Sequence, residues 1–392
     1  MGLRGDLWRV YMACLLLTAA DGLSSTLAPA YLQSLGFAYA DIGLLVAVYA
    51  VTSLVSRAPS GRLAEGRRAG VWFGVACGAF ALALLLYPFA TTTLAVSLVR
   101  ALNGLGFGGA TTLNFAAFLA VSSGGGSRAR ATALYTASMS AGYAVGNFSS
   151  GVLADHLGAG TAFALAGAAP IASLLVAAGG RPTPKLASVG HAAPFAWRSL
   201  TRADVLGVAA LAFSVNGLVL ALSTLFPLYA LSIGQSLSVA GAARGLNSLS
   251  NALVRPFGAP VVNRLGVIGV GLVGVAVMGG ASAALPLTTS PPLLFALFAL
   301  GGVGRAGGVL ANAMSAVDLS DRGVLNRGAA SAVITGGGDM GSIAGPLIGG
   351  LAAAQIGVGP ALAMVSLGAG GVGLLALAGG HQAHRHGRRA SS

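Results

Sequence analysis

Five ionisable side chains sit inside long apolar segments of this chain: Asp21, Arg100, Arg244, Arg305 and Asp339. An ionised group at such depth is costly unless it is paired or wet. Asp21, about halfway along the first segment, therefore has two readings. It is a proton or substrate site in a central cavity, or a carboxylate neutralised by a neighbouring arginine for structure alone. Arg305 and Asp339 fall at similar depth on consecutive segments, which makes them natural partners. If Arg100 likewise pairs with Asp21, Arg244 is left over, and a spare cation in a cavity suits a substrate carboxylate or phosphate. Asn216 lies nearly where Asp21 falls when the two halves of the chain are superposed, so only one half would carry the proton. Asn114 and Asn312 either face the cavity or bond across helices. Asp41, at the start of the second segment, reads as a helix cap.

Only membrane-spanning helices can place these groups. A soluble domain carries about 25% charged residues; this chain has 8% charged, 55% hydrophobic and 61 glycines among 392 residues. Nearly every apolar block exceeds the roughly 18 residues that span a bilayer as a helix. Barrel strands would be short and alternating. Twelve spans are expected, at about 8–32, 41–63, 70–90, 93–121, 129–155 and 160–179, then about 204–232, 237–262, 265–288, 291–317, 327–353 and 358–379. A polar, basic, proline-bearing stretch divides the sets. The expected organisation is a first six-helix bundle (1–179), a linker (180–203), a second bundle (204–379) and a polar tail (380–392).

The second half repeats the first. Pro29-x-Tyr31-x-x-Ser34-x-Gly36 falls on Pro227-x-Tyr229-x-x-Ser232-x-Gly234. Gly43 falls on Gly241, Arg57 on Arg255, Asn114 on Asn312, Arg128 on Arg327, and Gly142, Gly146 and Gly151 on Gly341, Gly345 and Gly350. So constant an offset across separate segments is a duplication. Copies that each begin on the same side are parallel repeats, related by an axis along the membrane normal.

Basic residues set the orientation. Arg4, Arg9, Arg57, Arg62, Arg67, Arg68, Arg130, Lys185, Arg202, Arg255, Arg264 and Arg322 all fall in the odd gaps, whereas the alternate loops near 33–40, 91, 157, 235, 288 and 356 hold no Lys or Arg. Both termini and the linker are therefore expected in the cytoplasm. The same distribution accounts for the net charge of +13 without nucleic acid, leaving at most weak attraction to anionic lipid. Ala38-Tyr39-Ala40 resembles a signal-peptidase site, but the preceding stretch is too long and contains Asp21. Cys14 and Cys77 lie inside spans as packing residues. No Cys or carboxylate completes a metal site with His381, His384 and His386.

The end of the second segment carries the first recognisable motif, Gly61-x-Leu63-x-Glu65-x-Arg67-Arg68. It resembles the loop signature of the major facilitator superfamily, with Glu for the usual Asp. Arg100-Ala101-Leu102-Asn103-Gly104 is similar to that family's fourth-helix signature, with Asn103 where Gln is common. Gly142, Gly146, Asn147 and Gly151 resemble the fifth-helix motif shared by its antiporters, with Asn147 in place of the proline; an intact Gly345-Pro346 lies on the eleventh segment. The resemblance spans about residues 8–379. It implies an all-α membrane protein of twelve transmembrane helices in two parallel six-helix repeats, with both termini cytoplasmic. It implies further that Arg57, Gly61, Glu65, Arg67 and Arg68 help close a cytoplasmic gate.

Two other classes share features with this sequence. Gly336-x-Gly338-Asp339 and Pro360-Ala361-Leu362 are features of intramembrane aspartyl proteases, with Asp21 as a second carboxylate; a six-plus-six repeat is foreign to that fold. A non-transporting receptor shares the fold with carriers. No G-x-x-x-x-G-K-[ST] phosphate loop exists, and Lys185 is the only lysine, so energy must come from a gradient. The expectation is a monomeric secondary transporter of the cytoplasmic membrane, without cofactor. Its partners are a small organic substrate, protons and membrane lipids, with no nucleic acid. Proton-coupled export is favoured, with Asp21 and Asp339 as proton carriers; uptake of a small organic anion is the alternative.

Overall fold

A computed structural model describes residues 2–66, 68–122, 128–179, 201–325 and 327–390. Twelve long helices follow one another: α1 (Gly2–Ser34), α2 (Tyr39–Ala64), α3 (Ala69–Leu86), α4 (Thr93–Ser122), α5 (Arg128–Leu157) and α6 (Ala159–Ala178), then α7 (Ala203–Ser232), α8 (Leu237–Val254), α9 (Gly258–Ala283), α10 (Pro291–Asp321), α11 (Arg327–Ile356) and α12 (Val358–Ala390). Among the described residues nine of them are long and apolar enough to cross a bilayer. The other three, α5, α8 and α11, carry Asn147, Arg244, Asn251 and Asp339. A helix that turns a polar face inward has a lower mean apolarity than one bounded by lipid.

The duplication is visible in backbone detail. α1 ends at Gly36 (φ 88°) and α7 at Gly234 (φ 75°). In each turn the glycine amide bonds the third residue back and the next amide bonds the fifth back: Gly36 to Gln33 and Phe37 to Leu32, Gly234 to Leu231 and Gln235 to Ala230. This is the Schellman stop, which needs a left-handed residue after the helix. Tyr31 Oη donates to the Pro88 carbonyl (3.1 Å) and its counterpart Tyr229 Oη to that of Thr288 (3.2 Å). An added β-carbon at Gly142 or Gly146 would strike the carbonyls of Leu15 and Ala19; at Gly341 or Gly345 it would strike those of Phe213 and Gly217. Each residue in the second set lies 198 or 199 positions after its counterpart in the first. Both helix pairs, α1 with α5 and α7 with α11, approach to backbone contact because glycine removes the side chain that would hold them apart.

Two compact units result, Met1–Val189 with Ala230–Ser248, and Gly190–Tyr229 with Leu249–Ser392. The stretch Ala230–Ser248, from the second sequence repeat, packs with the first unit. In that unit, aromatic residues close both ends of α1. Tyr87 stacks on Phe163 (4.3 Å between centroids), with Tyr31 edge-on to Phe163 (5.6 Å). At the other end Val10, Cys14, Phe118 and Tyr135 form a buried cluster. The polar side chains of α1 lie between. In the second unit, Val205, Val208, Leu319 and Val333 join the ends of α7, α10 and α11. Beside them Asp204 pairs with Arg202 (3.1 Å) and Arg322 (3.7 Å), and Arg322 with Asp318 (2.9 Å). Exposed apolar side chains such as Val71, Val75 and Leu82 on α3 form a surface suited to lipid.

Candidate functional site

Asp21 is 6% exposed, and both of its carboxylate oxygens are engaged. Tyr49 Oη of α2 donates to Oδ1 at 2.6 Å and Tyr143 Oη of α5 to Oδ2 at 3.2 Å. The shorter contact has the length of an O–H donor on an ionised acceptor. Tyr49 also serves Arg100: the guanidinium carbon lies 5.2 Å from its ring centroid, within cation–π range. Arg100 Nε donates to the Leu45 carbonyl (3.2 Å). The expected direct Asp21–Arg100 ion pair is thus replaced by a bridge through Tyr49. Packing explains the substitution. Gly104 of α4 sits against the Tyr49 carbonyl and Thr52, bringing α4 so close to α2 that a ring from α2 can reach both charges.

Asn103, one turn along α4 from Arg100, is fully buried. Neither its amide nitrogen nor its oxygen has a hydrogen-bond partner among the described residues, a rare condition for an interior side chain. Asn114, three turns further along, donates to the Val10 carbonyl (3.3 Å). Of its two readings, the structure has it bonding across helices.

A second polar layer lies about one turn and a half from Asp21 towards the end of α1. Arg244 of α8 donates to Thr26 Oγ1 and, at 3.3 Å, to Ser25 Oγ. Thr26 Oγ1 donates to Asn147 Oδ1 (2.9 Å), and Asn147 Nδ2 to Ser248 Oγ (3.2 Å). Asn147, which takes the place of the antiporter-type proline, therefore links α1, α5 and α8. Close backbone approach permits this as well: a β-carbon at Gly241 would lie 2.5 Å from the Asn147 carbonyl. Further along the same pair of helices, Asp155 Oδ2 accepts from the Ser238 amide (2.8 Å) and hydroxyl (2.6 Å). A carboxylate in that position caps the first turn of α8 and complements its dipole.

Five residues that position this site, Tyr49, Tyr143, Ser25, Thr26 and Ser248, were not singled out from sequence. The run Ser24-Ser25-Thr26, which begins three residues after Asp21, is the one legible signal, since three hydroxyls in a row are unusual in an apolar helix. The tyrosines gave none, as a lone Tyr in a helix is ordinarily packing.

The remaining predicted residues lie elsewhere. Asn216 donates to the Ala212 carbonyl of its own helix (3.0 Å) and lies against Gly338 of α11, where a β-carbon would come within 2.7 Å of Nδ2. Arg305 on α10 and Asp339 on α11 are half-buried in the second unit, and Asn312 of α10 is buried. Among the gate residues expected on α2, Arg57 is half-buried and Gly61 exposed. Glu65 ends α2, its amide bonded to the Arg62 and Leu63 carbonyls. Arg68 is exposed, and Arg67 lies outside the described residues. So do residues 180–200 of the linker and the side chains of Arg128, Arg327 and the three tail histidines.

A duplicated set of long apolar helices that buries a tyrosine-bound carboxylate and two arginines defines a polytopic membrane protein. The chain belongs to the Major Facilitator Superfamily, whose family model matches residues 10–291. Its fold is similar to that of the nucleoside transporter NupG in a variant form, at 14% identity and a TM-score of 0.80, covering 96% of this chain and 99% of that one. It is also similar to a bacterial homologue of the human lysosomal transporter Spinster, inward-facing and unoccupied, at 16% identity and a TM-score of 0.77, covering 98% and 97%. At such identities the likeness is one of fold. No curated protein sequence matches the chain.

Proposed function

We propose that this chain is a proton-coupled secondary transporter that exports a small, partly apolar organic molecule by alternating access of its two repeats. In this reading it works in the cytoplasmic membrane, as a monomer, and catalyses no covalent chemistry. The observation that carries the reading is the bonding of Asp21. A structural carboxylate would be neutralised by an arginine in direct contact; Asp21 instead takes hydroxyl donors from Tyr49 and Tyr143. A tyrosine hydroxyl both donates and accepts, so the same neighbours satisfy the carboxylate and, after rotation, the carboxylic acid. Binding or releasing a proton then leaves no buried group stranded, while Arg100, over the face of the Tyr49 ring, senses the change in charge. Asp339 is the rival proton carrier, on the second repeat.

A second reading, uptake of a small organic anion, is favoured by Arg244, whose buried guanidinium is placed by the hydroxyls of Ser25 and Thr26 and is suited to a carboxylate or phosphate.

Both readings meet in one experiment, a substrate screen in proteoliposomes under an imposed pH gradient, followed by Asp21→Asn and Asp339→Asn. Asp21→Asn is expected to abolish accumulation against a gradient and to leave downhill exchange. If Asp21→Asn keeps wild-type uphill transport and Asp339→Asn loses it, the coupling proton belongs to α11. If both behave as wild type, proton coupling loses its main support. Accumulation confined to anionic substrates, lost in Arg244→Gln, would favour the second reading.

A further inference from the structure

α9 is interrupted at Gly266 (φ 71°, ψ 165°), so its first arm, residues 258–265, departs from the line of the rest. Between this arm, the body of α9 and the facing side of α10 lies a cavity of about 350 Å³. Val261 and Leu265 of the arm, Val273 of α9, and Val303 and Leu310 of α10 form its walls. Its floor is a glycine seam, in which a β-carbon on Gly274 would lie 2.7 Å from the Gly304 carbonyl. Of these Val261, Leu265, Val273 and Val303 are exposed and Leu310 half-buried, on two helices that each qualify as membrane spans. Water would be a poor occupant of so apolar a groove and hydrocarbon a good one.

One end of the groove is different. Arg255, in the 3-10 turn that follows α8, lines the cavity and is half-buried. Among the described residues nothing forms an ion pair or side-chain hydrogen bond with its guanidinium, and no lining residue is acidic. Arg57 is the counterpart of Arg255, and the first copy holds Glu65 where the second has Asn263, 198 positions on. The stretch 255–266 contains no acid, whereas Arg264 lies next to the lining Leu265. A cation lining a hydrocarbon-sized groove that has no acid in its walls is complementary to one class of molecule in a bilayer.

We propose that the groove seats an acyl chain of an anionic phospholipid and that Arg255 holds the phosphate of its headgroup. By the orientation of the basic loops, that lipid belongs to the cytoplasmic leaflet. The plainer role for Arg255 is to complement the dipole at the end of α8, which demands no lipid and gives no preference among headgroups.

Native mass spectrometry of the full-length protein in detergent, titrated with phosphatidylglycerol and phosphatidylcholine of identical chains, separates the two. The wild type should prefer phosphatidylglycerol, and Arg255→Gln should lower that preference about tenfold, as loss of one charged hydrogen-bonding group worth ~1.4 kcal/mol would. Arg62→Gln, which removes an exposed arginine of α2, should leave it unchanged. Ala313→Phe, which fills the groove, should weaken both lipids. An unaltered preference in Arg255→Gln overturns the proposal, as does equal weakening in Arg62→Gln. Protection of the site by glycerol phosphate at concentrations matching the lipid would make it a free-phosphate site instead. If Arg255→Gln does not fold, the wild-type titration decides: no preference between the two lipids refutes the assignment.

Discussion

The glycine seams can be tested one methyl group at a time. In Gly146→Ala the new β-carbon would overlap the Ala19 carbonyl and lie 2.9 Å from the Leu23 amide; in Gly345→Ala it would overlap the Gly217 carbonyl and lie 3.1 Å from the Gly217 α-carbon. Carbon atoms are at ease at about 3.5–4.0 Å. Backbone atoms cannot rotate aside, so α1 must part from α5, or α7 from α11. Overpacking of this kind costs roughly 1–3 kcal/mol, and the upper end applies where the neighbour is main chain. Alanine returns about 1 kcal/mol of helix propensity. The net loss expected is about 2 kcal/mol for each variant, or roughly 4–8 °C in the melting of a unit of this size. Gly78→Ala on α3, where nothing lies within 4 Å of the new methyl, should melt at or above the wild-type temperature. A thiol-reactive dye reports the transition, because Cys14 and Cys77 are both free and buried. The two seam variants should lose similar amounts, as equivalent positions of a duplication. Should Gly146→Ala melt with Gly78→Ala, the backbone contact between α1 and α5 does not exist as drawn.

Other expectations follow from the same geometry. Cysteines placed at Gln235 and Thr288 should react with an impermeant thiol reagent from outside and one at Arg322 should not; reversed labelling overturns the orientation. Glu65→Gln should weaken closure of the cytoplasmic face if that side chain makes a state-dependent contact, and unchanged interconversion by distance measurement there would reduce the loop to a topology signal. Tyr49→Phe keeps the ring beside Arg100 and deletes the hydroxyl at 2.6 Å from Asp21, a bond to a charged group worth ~1.5–3 kcal/mol. Uphill accumulation should fall tenfold or more with downhill exchange intact, and wild-type accumulation would assign Tyr49 to packing alone.

The architecture could be read in the sequence because its signals are repeated and chemically blunt. Gly36, Gly142 and Gly146 recur 198 or 199 positions on because each meets a backbone requirement that no other residue satisfies as cheaply. Charge bookkeeping was less informative about the site. It matched Asp21 with Arg100 by sign and depth, and had no means of inserting Tyr49, a neutral residue whose ring and hydroxyl serve different partners. Arg244 was left over once the other charges were matched by sign and depth, and sequence gave no means of finding the hydroxyls of Ser25 and Thr26 to which it donates. Asn147 was noticed only as a missing proline, since its role depends on α8 coming within hydrogen-bond reach of α5.

Set side by side, the repeats agree in their backbone and differ in their chemistry. The turn at Gly36 and Gly234, the tyrosine tie to the next loop and the glycine seams are duplicated. The polar positions are not: Asn216 stands near the place of Asp21, Asn263 replaces Glu65, and Pro346 lies where the first copy has Asn147. Asn216 spends its amide on the Ala212 carbonyl of its own helix, so α7 presents nothing like the tyrosine-bound carboxylate of α1. A duplicated backbone lets each repeat move as a similar body. On the proposed reading with Asp21 as the carrier, a charge gained and lost at that one position would make the two facing states respond differently to a proton, and a ligand biases a conformational equilibrium only through such a difference. Under that proposal the divergence of Asp21 and Asn216 would supply the asymmetry that coupling requires, and the shared glycine seams hold α1 to α5 and α7 to α11 in the same way.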